Sequence, residues 1–141
     1  MIVTVIFFAA ALLLIGWNFA RLSRFERDFR YSDTFRGSRY ECVVGGLDLE
    51  HGTLCVVGAD ESGIYLLKHP ESDRFSWNIK GGHRVFRRDL LIPWKAFSYR
   101  AGKVLFKECL WLEMPSRRIY LHVPKDVGEK LLEDARRDYP V

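Results

Sequence analysis

The first twenty residues of the chain contain no charged side chain. Between Ile2 and Trp17 only Thr4 and Gly16 are not plainly apolar. At the rise of an α-helix residues 2–20 span roughly 28 Å, close to the hydrocarbon thickness of a bilayer. Because a backbone in lipid must satisfy its own hydrogen bonds, a segment of this kind crosses as a helix. The pattern predicts a single transmembrane helix.

The residues that flank this segment predict that it is not cleaved as a signal peptide, and they also predict its orientation in the membrane. No basic residue precedes it, and a cleavage after Ala20 would place Asn18 at the −3 position, which is unlike a secretory signal. Arg21, Arg24 and Arg27 follow the apolar run at once. Since Lys and Arg beside a span stay on the cytoplasmic side, we expect the N-terminus outside and a cytoplasmic C-terminal domain.

Helical periodicity continues beyond the apolar run. Leu22, Phe25 and Phe29 fall on one helical face, so residues 1–31 are predicted to form the span and an amphipathic cytoplasmic extension. Two interpretations stay open: a helix end that continues into the cytoplasm, or a neck that lies on headgroups or on a partner protein. Residues 32–39 lose all periodicity and are predicted to be a linker.

Residues 40–141 show short apolar runs separated by turn residues, which is typical of an antiparallel β domain. Ala101-Gly102-Lys103 is predicted to be a turn that precedes a long strand over residues 104–114. A C-terminal helix is predicted over residues 126–138, with Asp126 as its N-cap. The predicted strands are residues 40–44, 53–59, 64–69, 84–92, 104–114 and 117–123, with an edge strand near residues 75–79 and a further strand over residues 94–99. About seven antiparallel strands followed by a capping helix is the order of a pleckstrin-homology-like (PH-like) barrel.

Two segments carry a family resemblance: GADESGIYL at residues 58–66 and DLLIPWKAF at residues 89–97. They resemble small bacterial membrane-anchored proteins with PH-like or GRAM-like domains. The resemblance implies that fold and an association with the bacterial inner (plasma) membrane. It implies no catalytic residue.

Residues with chemical potential are few and scattered. Cys42, Cys55 and Cys109 form no CxxC pair and lie in apolar runs, so we expect buried, unpaired thiols. The four histidines show no spacing typical of a metal site. We therefore expect no enzyme activity, no cofactor and no metal.

Charge is the remaining signal. The chain has 22 Lys and Arg against 18 Asp and Glu, a net charge of +4, and residues 68–107 hold ten basic and three acidic residues. This region predicts either an ordinary solvated face or a surface for anionic headgroups or an acidic partner. The candidate binding residues are Arg21, Arg24, Arg27, Trp77, Lys80, Arg84, Arg87, Arg88 and Lys95. Ala9, Ala10, Ala11 and Asn18 are candidates for close contact with a neighbouring membrane helix.

Three functions remain open at this point. The favoured one is a non-enzymatic accessory or scaffold subunit whose partners are integral membrane proteins of a larger complex. The first alternative is a module that binds anionic lipid through residues 68–107, and the second is an enzyme with an unrecognised site. Nucleic acid is not expected as a partner, because the basic residues are not concentrated in one nucleic-acid-binding motif.

Overall fold

The computed structural model describes residues 1–47, 52–73, 79–80 and 83–140, with the backbone alone for residues 18, 19, 73, 79, 80, 83 and 84. The chain begins with helix α1, Ile2–Asp28, which is 27 residues long. Its apolar part has a mean hydropathy of 2.3 and is 0% buried by the rest of the protein. α1 is therefore an apolar helix long enough to cross a membrane, as predicted. Unlike the core helix of a soluble domain, its apolar part is not covered by other elements.

The last turns of α1 belong to the core of the C-terminal domain. Phe25 has 0% exposed surface and packs edge-on against Phe29 at 5.3 Å between ring centroids. Leu22 and Phe29 flank it as half-buried side chains. The helix therefore continues beyond the apolar run, as one of the two interpretations had it, and its amphipathic face packs on the protein's own domain.

The segment predicted to be a linker has no regular secondary structure, but it is packed on the domain. The Tyr31 amide donates to the Asp89 carbonyl at 2.9 Å, and the Phe35 ring is buried 4.3 Å from the Tyr65 ring. Gly58 provides the space for this contact, since a Cβ there would lie 2.2 Å from the Phe35 ring. A single aromatic residue thus fixes the path of an aperiodic segment.

Two mainly antiparallel sheets follow. The first has the order β4-β5-β2-β3-β6 with β1 also on β2, and its only parallel pair among the described strands is β2 with β5. The second has the order β7-β8-β9. Within the described residues seven strands have four or more residues, where about seven were predicted, and β4 and β5 are shorter. The bounds are β1 Tyr40–Val44, β2 Thr53–Ala59, β3 Gly63–Leu67, β4 Ile79–Lys80, β5 His83–Val85, β6 Leu90–Pro93, β7 Ser98–Val104, β8 Lys107–Met114 and β9 Ile119–Pro124.

The two sheets enclose one hydrophobic core. Their edges meet where the backbones of Gly45 and His122 exchange two hydrogen bonds of 3.0 and 3.2 Å. A Cβ on Gly45 would overlap the His122 ring in its present position, so glycine lets this ring pack against the junction. Core side chains come from α1, from both sheets and from the C-terminal helix. The predicted antiparallel β domain is confirmed, whereas its identity as a PH-like barrel stays a prediction.

The C-terminal helix α2, Lys125–Asp134, is confirmed, but its bounds differ from the predicted residues 126–138. Pro124 is the N-cap and Asp126 lies inside the first turn, so the predicted N-cap is wrong. Val127, Leu131 and Leu132 are buried against the sheets.

The turn between β7 and β8 lies elsewhere than predicted. Val104 pairs with Lys107, so Leu105 and Phe106 form a two-residue turn, and Gly102 lies within β7. Gly102 is needed for packing, because a Cβ there would lie 2.4 Å from the Trp111 ring. The strand predicted to begin at residue 104 begins at Lys107.

Candidate functional site: a basic cleft where the helix meets the domain

A cleft of about 490 Å³ lies at the junction of α1 and the connection between β8 and β9. Four arginines and one aspartate among its lining residues give it a net positive charge. It is lined by Trp17, Ala20, Arg21, Arg24 and Asp28 from α1 and by Ser116, Arg117, Arg118 and Ile119 from the connection.

The connection is shaped by a one-turn 3₁₀ helix, Pro115–Arg117, which ends at Arg118 in the left-handed region with φ of 54°. This conformation turns the Arg118 carbonyl toward α1, where it accepts a hydrogen bond of 2.8 Å from Arg21 Nη1. The Arg118 guanidinium lies 5.4 Å from the centroid of the Trp17 ring. One residue of the connection thus contacts both the last apolar turn and the first charged turn of α1.

Arg117 forms the second attachment of the connection to α1. Its Nη1 donates to Asp28 Oδ2 at 2.6 Å, and its guanidinium lies 4.7 Å from the Phe29 ring centroid. Arg27 Nε lies 3.8 Å from the other Asp28 oxygen. The single carboxylate among the lining residues is therefore in direct contact with Arg117 and Arg27, and the charge of Arg24 also helps to lower its pKa. Among the described residues, the guanidinium groups of Arg24 and Arg118 make no direct contact with a carboxylate.

The structure brings only part of the predicted binding residues into this cleft. Arg21 and Arg24 line it, and Arg27 lies beside it through Asp28. Arg117 and Arg118 were missed, because their signal in the sequence is no more than two adjacent arginines after a Pro-Ser turn. The cleft joins positions about 90 residues apart, which no local pattern reveals.

The basic residues within residues 68–107 do not form one face in the described part of the domain. Arg88 Nε lies 3.5 Å from Glu26 on α1, and Arg100 pairs with Glu113 at 2.6 Å on the second sheet. Arg87 and Lys95 are exposed on and beside the first sheet. Lys80 and Arg84 lie in β4 and β5. The predicted Trp77 lies outside the described residues.

The predicted helix-docking residues lie in the exposed apolar part of α1. Ala9, Ala10 and Ala11 are consecutive and exposed, and successive side chains point about 100° apart around the helix. The side chain of Asn18 lies outside the described residues.

The other residues with chemical potential have structural roles. His69 is 2% exposed; its Nδ1 accepts from the Glu71 amide at 3.2 Å, so its Nε2 carries the proton that points to Glu41 at 3.2 Å. Burial raises the pKa of the Cys42 thiol to about 12 and also raises the pKa of Cys55 and Cys109. The predicted burial of the three cysteines is confirmed. Within the residues that the structure describes, no group of three metal-ligating side chains occurs.

Comparison with known proteins identifies no relative. No protein-family model, no curated protein and no solved structure matches the chain. The resemblance to PH-like and GRAM-like proteins therefore stays a prediction.

Proposed function

We propose that the chain is a single-pass protein of the inner (plasma) membrane whose C-terminal domain lies on the cytoplasmic surface and acts as a non-enzymatic accessory or scaffold subunit. The observation that carries this proposal is the continuity of α1, which runs from an uncovered apolar surface to Phe25 in the domain core without a break. A helix that continues into the core holds the domain in one orientation at the membrane.

Charge and aromatic placement support the orientation. Trp17 lies at the end of the apolar run, where indole rings favour the bilayer interface, and Arg21 and Arg24 follow within two turns. These residues favour the cytoplasmic side for the domain.

The exposed surface of α1 supports a membrane protein as the partner. Helices associate in lipid by close backbone approach, which small side chains allow. Ala9, Ala10 and Ala11 provide such side chains on a helix that the domain leaves uncovered.

A photoreactive amino acid at Ala10 of the full chain, activated in native membranes, tests this role. We expect a discrete protein adduct, identified by mass spectrometry. Leu12 is the matched control, because it is exposed at nearly the same depth but points about 200° away around the helix. Adducts with lipid alone from both positions would contradict a role as a subunit.

A second candidate function is recognition of anionic lipid headgroups, and the cleft, rather than residues 68–107, supports it. With residues 2–20 across the bilayer, Arg21 and Arg24 lie at the depth of the lipid phosphates. Guanidinium groups bind phosphate oxygens through strong, charge-assisted hydrogen bonds. The cleft combines four of them with an indole ring.

Titration of the full chain in neutral detergent with short-chain phosphatidylglycerol, phosphatidylcholine and free glycerol phosphate tests this candidate. Replacing Arg24 and Arg118 with Gln leaves the Arg21–carbonyl and Arg117–Asp28 hydrogen bonds in place. We expect phosphatidylglycerol to bind most tightly, and each substitution to weaken it roughly tenfold. Arg36→Gln is an exposed control. Equal binding of all three ligands, or no effect of the variants, would exclude the cleft as a headgroup site.

A further inference from the structure

The turn that joins β7 to β8 is apolar and projects from the domain. Leu105 is 88% exposed and Phe106 is 97% exposed, although both are large hydrophobic side chains. Neither therefore packs on the core to any extent. The β7–β8 turn is hereafter called the hairpin tip.

The backbone of the hairpin tip is unfavourable for these residue types. Leu105 has φ of 48° and Phe106 has φ of 69°, both in the left-handed region. Positive φ at both central residues is the type I′ arrangement, which strongly favours Asn-Gly, and bulky residues rarely adopt it. The domain gains neither burial nor turn stability from Leu and Phe here. Strain of this kind is retained mainly where it serves contact with something else.

The surroundings of the hairpin tip point to the chemistry of that contact. Lys103 and Lys107 flank it on the two strands and are exposed. The nearest acidic residue, Glu108, is 3.0 Å from the Lys125 ammonium, which lowers the pKa of that carboxyl and compensates its charge. The apolar side chains of the hairpin tip and the two lysines behind them complement a bilayer surface. Apolar groups enter the boundary of the acyl chains there, and lysines contact anionic headgroups. A protein partner would have to reproduce both layers, whereas the membrane beside α1 already presents them.

We propose that the hairpin tip inserts into the cytoplasmic leaflet as a second membrane contact of the domain. This rests on the membrane placement proposed above but not on the scaffold role. The eight residues of β8 separate the hairpin tip from the 3₁₀ turn beside Trp17 by about 25 Å. The β7–β8 hairpin then lies along the membrane surface. Two contacts at this separation fix the rotation of the domain about α1.

Depth measurement by site-directed spin labelling tests the proposal on the full chain in nanodiscs of phosphatidylcholine and phosphatidylglycerol. The label is placed by Phe106→Cys, and the native cysteines, at most 8% exposed, give little background. We expect the label to be accessible to oxygen and protected from an aqueous nickel complex. Ser98→Cys, at the other end of β7, is expected to be less protected.

Leu13→Cys separates failure of this proposal from failure of the membrane placement. A protected label at position 13 with an aqueous label at position 106 would overturn insertion of the hairpin tip and leave the placement intact. Aqueous labels at both positions would overturn both. Protection at position 106 only in native membranes, and not in nanodiscs, would assign the hairpin tip to a protein partner and also overturn the proposal.

The double variant Leu105→Asn, Phe106→Gly removes the apolar side chains of the hairpin tip and keeps the turn. It therefore distinguishes loss of membrane contact from loss of folding. Because Asn-Gly suits the turn, we expect unchanged or higher thermal stability of the domain. A label at Lys107→Cys is expected to lose its protection from nickel in this background. Tyr120→Asn, an exposed aromatic on β9, is the control that should not change the depth. Retained protection with the Asn-Gly turn would contradict insertion through Leu105 and Phe106.

Discussion

Phe25 is the residue at which the apolar helix becomes part of the domain. Its ring is fully buried, while the side chains of α1 up to Trp17 are exposed. Leu13, three turns earlier on the same helix, is 75% exposed. Phe25 attaches α1 to the domain by packing in its core. The hydrogen bonds of Arg21 and Asp28 to the β8–β9 connection add to this attachment.

Replacing Phe25 with Ala is expected to lower the free energy of unfolding of the domain by about 3–5 kcal/mol, since truncation of a buried Phe leaves a cavity. Chemical denaturation of the full chain in detergent, followed by Trp fluorescence, measures this. Leu13→Ala removes a comparable apolar side chain from the exposed part of α1 and is expected to leave the domain's unfolding unchanged. Equal effects of the two substitutions would show that α1 is not integrated into the core.

Residue-level expectations from the sequence succeeded where burial follows from local apolarity. The three cysteines lie in apolar strands, and each is buried. Phe35 gave no such signal, because it is a lone aromatic in a polar run. Its burial depends on the space over Gly58, which only the folded sheet creates.

At the scale of elements, alternation and turn chemistry located β1 and β2 at their observed bounds. The same reasoning misplaced the β7–β8 turn, because Ala-Gly-Lys has the composition of a turn and Leu105-Phe106 continues an apolar run. Cross-strand packing decided the outcome: Gly102 makes room for Trp111, and the turn moves to two residues that disfavour it. A mismatch between residue type and turn geometry is visible only once the register is known.

The charge pattern of the sequence predicts the surface of the fold less well than the apolar pattern predicts its strands. The basic excess in residues 68–107 is real in the sequence, but its described members lie on different elements, and Arg88 and Arg100 are paired with acidic residues. The concentrated positive charge arises instead where α1 meets the β8–β9 connection. Counting charges along the chain cannot find a cleft that tertiary packing assembles.

At the scale of the whole molecule, the apolar surface of α1 adjoins the basic cleft beside Trp17, and the apolar hairpin tip lies at the other end of β8 from that cleft. All charged side chains lie after residue 20. As proposed above, the helix, the cleft and the hairpin tip together hold the domain against a membrane in a defined orientation.

The most direct test of this account is the topology of the full chain in intact cells. Ser98→Cys places an exposed thiol on the domain side of the predicted span, and the native cysteines are buried. With a membrane-impermeant maleimide we expect labelling at position 98 only after the cells are permeabilised. Labelling of position 98 in intact cells, or recovery of the chain in the soluble fraction, would contradict a single span with a cytoplasmic domain.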